Sequence, residues 1–175
     1  MVKQRKVVSD EVGGMLREEV VHVCPIGISE SCERFESLND PFTHHHINGD
    51  SARSEFWNLI RLCKSCHDVI HNIHSNNKKV QRQIRLRKRL LTLQWLGPLA
   101  VNVLVLAKRF QVTSAMPCAV IRLLEYGYLE IANSNTLTIG SSPHATLQDY
   151  RITKRGVELV EHLFRRSTVD DRLLR

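Results

Sequence analysis

The sequence has no apolar run approaching the roughly 18 residues that a membrane-spanning helix needs, which argues against a helical membrane protein. Its first residues, MVKQRKVVSDEVGG, carry basic groups but no apolar signal core, so a cytoplasmic location is expected. Aromatic residues are scarce at 6%, so aliphatic side chains must fill most of the core, and the 42% hydrophobic content is sufficient for that. Acidic residues are scarce in one half only. Positions 81–175 hold 15 Lys/Arg against 7 Asp/Glu, whereas positions 1–80 hold 10 against 11. The net charge of +7 favours a polyanionic partner, and its asymmetry implies that the two halves do different jobs.

Cysteine is sparse but concentrated. Four of the five cysteines form two pairs, Cys24/Cys32 and Cys63/Cys66, on either side of His44-His45-His46. His67 and His71 follow directly on the last cysteine, one helical turn apart. In a reducing compartment, paired cysteines more often bind metal than form disulfides. Cys63 and Cys66 have the tight C-x-x-C spacing of a zinc knuckle; Cys24 and Cys32 are spaced more widely, and two redox thiol pairs are the alternative. Four thiolates favour a closed tetrahedral structural zinc, while imidazoles with open positions suit a catalytic divalent ion.

Local patterning places these groups. Residues 1–15 show no clear period and are expected to be a loose lead-in, with Arg5 and Lys6 as incidental cations. Glu19 to Cys24 is β-branched and suggests a short strand. Ile47 followed by Asn48-Gly49 suggests a second strand entering a tight turn. Neighbouring residues on a strand point to opposite sides, so adjacent imidazoles can serve as metal ligand and proton acceptor without competing. Asn58 to Leu62 leads into Cys63, and Cys66 to His71 opens a helix, with His74 on nearly the same face.

The succession HHI…N…CxxCHxxxH resembles the HNH endonucleases, over about residues 20–75. That resemblance implies a ββα-metal fold and hydrolysis of DNA phosphodiester bonds, with RNA as a further substrate class. It assigns His46 as general base, His45, His67 and His71 as ligands of one divalent ion (Mg2+, Mn2+, Ni2+ or Zn2+), and Asn58 as the residue that steadies the loop and orients the base. The extra His44 leaves His44/His45 as an alternative ligand/base pair. Arg61 is either a phosphate contact or a solvated strand residue, and Asp68 either a histidine partner or exposed helix surface. Asp50 is equally ambiguous. A degenerate, non-catalytic zinc module that regulates through DNA binding is the competing class.

Residues 79–97 are expected to be a basic connecting helix, with Arg82, Arg85 and Arg89 either on DNA phosphate or simply solvated. Gly97-Pro98 marks a break. Beyond it, SAMPCAVIRLLEYGYLEI and YRITKRGVELVEHL resemble a winged-helix domain over residues 98–167. In that reading Gln111–Thr113 is a turn, and residues 114–126 are a recognition helix offering Ser114, Ala115 and Arg122. Residues 132–149 would form the wing, Cys118 would be a buried apolar thiol, and the tail after residue 165 would be mobile. Dimerisation or protein contact is the alternative role. The expectation is an α+β protein: a zinc-stabilised ββα-metal module over residues 16–78 and a helical winged-helix-like domain. No motif specifies oligomeric state.

Overall fold

A computed structural model describes residues 7–32, 34–37, 41–72, 77–138 and 146–164. Arg5, Lys6, His74 and the tail lie outside them. The chain is α+β and forms two compact units, Met1–Trp95 and Leu96–Arg175. Among the described residues no single helix is long and apolar enough to cross a membrane.

The first unit opens with α1 (Asp10–Val20), where a loose lead-in and a strand were expected. Ser9 caps it, its Oγ accepting from the Val12 amide at 3.3 Å. Val12, Met15, Leu16, Glu19 and Val20 face inward at helical spacing. The stripe is hard to read from sequence because one of its members, Glu19, is charged. The helix stops at Val21 and His22, both left-handed, with φ of 48° and 61°. Only an isolated bridge between Val23 and Phe35 remains of the expected strand. With it, Cys24 N donates to Arg34 O and Glu36 N to His22 O, closing the loop that carries Cys24 and Cys32.

Strand β1 (Thr43–His46) pairs antiparallel with β2 (Leu59–Leu62). Between them Gly49 takes φ 73° and donates its amide to His46 O. A 3-10 turn, Phe56–Asn58, precedes β2, and α2 (Lys64–Asn72) follows it. The unit closes with α3 (Lys78–Leu96), which is no free-standing connector. Val80, Ile84 and Leu91 join the core made by Val20, Phe42, Ile60, Leu62, Cys66 and Ile70, and the Trp95 ring packs at a tilt on Phe56, centroids 5.3 Å apart.

The same face of α3 carries Lys88, fully buried, whose Nζ lies 2.6 Å from Glu19 Oε2 and 3.6 Å from the centre of the Phe56 ring. Burial pushes the Glu19 carboxyl up and the Lys88 ammonium down, each opposed by its partner.

The second unit runs α4 (Pro98–Phe110), β3 (Val112–Ala115), α5 (Pro117–Glu125), β4 (Leu129–Thr138), β5 (Thr146–Ile152) and α6 (Lys154–Phe164). Its antiparallel sheet has the order β3-β5-β4. The expected turn at Gln111–Thr113 is instead the start of β3, because Val112 and Thr113 pair with Arg151 and Tyr150. Gln111, at φ 66°, makes the corner. Consequently the second helix begins at Pro117 and not at Ser114. Ser114 sits in β3 with its hydroxyl on Asp149, and Ala115 is buried, so neither lies on that helix. Arg122 is exposed on α5, and Cys118 is exposed, not buried. Strands β4 and β5 cover most of the expected wing; residues 139–145 fall outside the description.

Thr153 fixes the start of α6 by accepting from the Gly156 amide and donating to Gly127 O at 2.7 Å. Gly156 has no room for a side chain. A Cβ there would overlap the Tyr128 carbonyl oxygen and stand 2.8 Å from Ile152 Cγ1. Backbone does not yield as a flexible side chain does, so Gly156→Ala is expected to destabilise this unit by about 1–3 kcal/mol. A lowered urea midpoint with unchanged slope is the signature.

Candidate metal centre

Helix α2 carries ligands for two separate clusters. Cys63 follows directly on β2, and the His67 amide donates to its carbonyl as the helix begins. One turn brings Cys66 beside Cys63; the closed loop after α1 brings Cys24 and Cys32 to the same point. All four sulfurs lie within 4.8 Å of one another. Cys32 Sγ and Cys63 Sγ are 3.7 Å apart. A tetrahedron with zinc–sulfur bonds of about 2.3 Å has edges of about 3.8 Å, so the Cys32–Cys63 separation matches one edge of a zinc site. Three of the four thiols are buried and Cys32 is half-buried. The wide spacing of the first pair is thus answered by the Val23–Phe35 bridge.

The thiol chemistry supports the same reading. Burial pushes the Cys32 thiol up, as do its cysteine neighbours, and burial also raises Cys66. Burial opposes ionisation of Cys63 too, but the Ser65 hydroxyl and the Cys66 amide outweigh it and bring Cys63 to about 7. One thiolate is favoured and its neighbours resist following it. A divalent cation at the centre removes that conflict by neutralising several thiolates together.

The second cluster joins His45 of β1 with His67 and His71 of α2, their ligand atoms also within 4.8 Å of one another. The His45 ring lies 5.6 Å from His67 and 5.3 Å from His71, and those two rings are 4.5 Å apart. His45 is 4% exposed, and neither ring nitrogen has a hydrogen-bond partner among the described residues. Burial and the adjacent imidazoles hold its pKa down at about 4, so the ring is neutral at pH 7 with a lone pair to give. Two buried ring nitrogens without partners are a cost, and a metal ion would relieve it at one of them. Three imidazoles at one point supply three of the four ligands of a tetrahedral ion.

Strand pairing distinguishes the three consecutive histidines. His45 is paired with Ile60 and turns toward α2; His44 and His46, paired with Arg61 and Leu59, belong to the other face of β1. His45 is therefore the strand's contribution to the cluster. Asn58 secures the loop that follows: its Oδ1 accepts from the Asn48 amide at 3.2 Å, and its Nδ2 donates to Asn48 Oδ1 and Arg53 O. Its backbone carbonyl accepts from Ile47 N at 2.8 Å. Asp50 belongs to the same loop, its Oδ1 accepting from the Ala52 amide. Asp68 is exposed on α2, with Oδ1 3.6 Å from His67 Nδ1.

Arg61 is not solvated. It is buried, its guanidinium on Glu36 and over the Phe42 ring. Burial works against a charged Glu36, yet the Phe42 amide, His22 and Arg61 outweigh it and hold the carboxyl low. Glu36 thus ties β2 to the chain that follows Cys32, a role that no local motif announces. Arg82, Arg85 and Arg89 lie on α3, in the same unit as both clusters.

No family model, curated protein or solved structure matches this chain.

Proposed function

We propose that the first unit is an HNH-type endonuclease module that hydrolyses DNA phosphodiester bonds. The observation that carries this reading is the convergence of His45, His67 and His71, open on one side, on a strand–strand–helix scaffold with His46 next in the chain. In such a module the four cysteines hold a structural zinc. His45, His67 and His71 hold one divalent ion, which supplies Lewis-acid stabilisation of the charge developing on the phosphoryl and leaving oxygens. All-imidazole ligation suits zinc or nickel better than magnesium.

The remaining work falls to the protein. His46 accepts the proton of a water molecule as its oxygen forms a new bond to phosphorus and the bond to the leaving oxygen breaks. A near-neutral imidazole pKa suits that transfer. Asn58 keeps the loop after His46 in place through Asn48 and Arg53. The second unit is read as a winged-helix-like domain that positions DNA, supported by its three-stranded sheet and by exposed Arg122 on α5. The strand between α4 and α5 departs from a simple helix-turn-helix.

The test is plasmid cleavage by full-length, zinc-loaded protein supplied separately with magnesium, manganese, nickel and additional zinc. Nicking or linearisation that needs the added ion, and that falls about 10²–10⁴-fold in His46→Ala, is the expected result. Salt-sensitive DNA binding without cleavage by any ion would make the module a zinc-dependent regulator.

A further inference from the structure

Helix α3 contains seven Lys/Arg and no Asp or Glu, while residues 1–77 of its unit hold 8 Lys/Arg against 11 Asp/Glu. The fold sorts six of these cations into three groups; the seventh, Lys79, is exposed beside Lys78. Lys88 is fully buried on Glu19. Arg87 turns the other way, its Nε donating to Pro25 O at 3.0 Å beside Cys24. Lys78, Arg82, Arg85 and Arg89 recur at i, i+4, i+7 and i+11, which aligns them along one edge of the helix. Lys78 and Arg85 are exposed; Arg82 and Arg89 are half-buried. This edge is turned away from the buried stripe of Val80, Ile84, Lys88 and Leu91.

We propose that this edge is the surface on which the first unit holds duplex DNA, its cations tracking the phosphate backbone. The four positions span about 16 Å at the helical rise, a length over which one strand of B-DNA presents about five phosphates. Like charges at i, i+4 destabilise a helix, and α3 has no acidic residue to offset them. A polyanion laid along the edge supplies negative charge that the helix's own sequence does not. The inference deepens the nuclease reading and rests on it for the choice of DNA as the polyanion. It gives that site a handhold within its own unit, independent of the second domain.

The experiment is fluorescence anisotropy of a labelled DNA duplex with full-length, zinc-loaded protein over a salt series, in a His46→Ala background so that binding is read without cleavage. The combined variant Lys78→Gln/Arg82→Gln/Arg85→Gln is expected to lower the slope of log affinity against log salt by about 0.9 per contact, about 2.7 in all. It should weaken binding at least about tenfold at low salt. Arg87→Gln removes one charge from another side of the same helix and should leave the slope unchanged, where a phosphate contact would lower it by about 0.9. Equal slopes for the two variants, no measurable binding by the parent, or tighter binding to duplex RNA than to DNA would each overturn the proposal. A slope change confined to the edge variant, in a protein whose His46 form cleaves nothing with any ion, supports this surface and removes the nuclease reading.

Discussion

Replacing Cys66 with serine is expected to leave the first unit unfolded at neutral pH. Its sulfur is fully buried between β2 and α2, within 4.8 Å of three other thiols, and its neighbours include core residues Ile60, Leu62 and Ile70. A hydroxyl is a hard and poorly ionised substitute for a thiolate and does not hold zinc in a four-sulfur site. Structural zinc contributes about 10–16 kcal/mol of apparent binding energy in small modules, while a whole domain is stable by only about 5–15 kcal/mol. Losing the ion therefore removes as much free energy as the unit has. Both tryptophans, Trp57 and Trp95, lie in this unit, so intrinsic fluorescence reports on it selectively. The expected outcome is a red-shifted spectrum with no bound zinc, reproduced in the parent by a strong chelator. Native fluorescence in zinc-free Cys66→Ser would mean that the aliphatic core, and not the metal, holds the module.

The same cluster shows why part of the fold was legible in the sequence. Ligand chemistry is local and restrictive: few residue types bind zinc, and their spacing survives in the chain as C-x-x-C and as histidines one turn apart. The pairing of His45 with His67 and His71 was thus readable, although His44 left the register open until the pairing of His45 with Ile60 fixed it. Elements that depend on distant partners were not readable. Val112 and Thr113 look like a turn beside Gln111 and become a strand only because β5, some 35 residues on, offers them a ladder. Glu19 breaks the apolar stripe of α1 to the eye, and Lys88 breaks that of α3. Each is a core residue only because the other is there. Arg61 reads as solvent-facing until Glu36 is brought to it.

That mutual dependence sets the second large effect. Lys88→Ala is expected to destabilise the first unit by about 3–5 kcal/mol, because it strands the buried Glu19 carboxylate. Thr92 alone would remain on that carboxylate, its hydroxyl 2.6 Å from Oε1, and one neutral donor does not replace an ammonium. Removing both charges is a different matter. In Glu19→Leu/Lys88→Met the volume is kept and no ion is buried, so stability is expected to match the parent or exceed it by about 1–4 kcal/mol. Thr92 Oγ1 still has the Lys88 carbonyl position at 3.0 Å to donate to. Urea midpoints from tryptophan fluorescence on Glu19→Leu, Lys88→Met and the double give the coupling directly. A cost below about 1 kcal/mol for Lys88→Ala would mean that water reaches the pair and that burial is not what it resists. Lys88 also lies against Phe56, two residues before the Asn58 that anchors the loop after His46. A stable double variant that binds metal at the histidine cluster more weakly than the parent would show what the charges are for. They would then be kept to place the 3-10 turn, at some expense in stability.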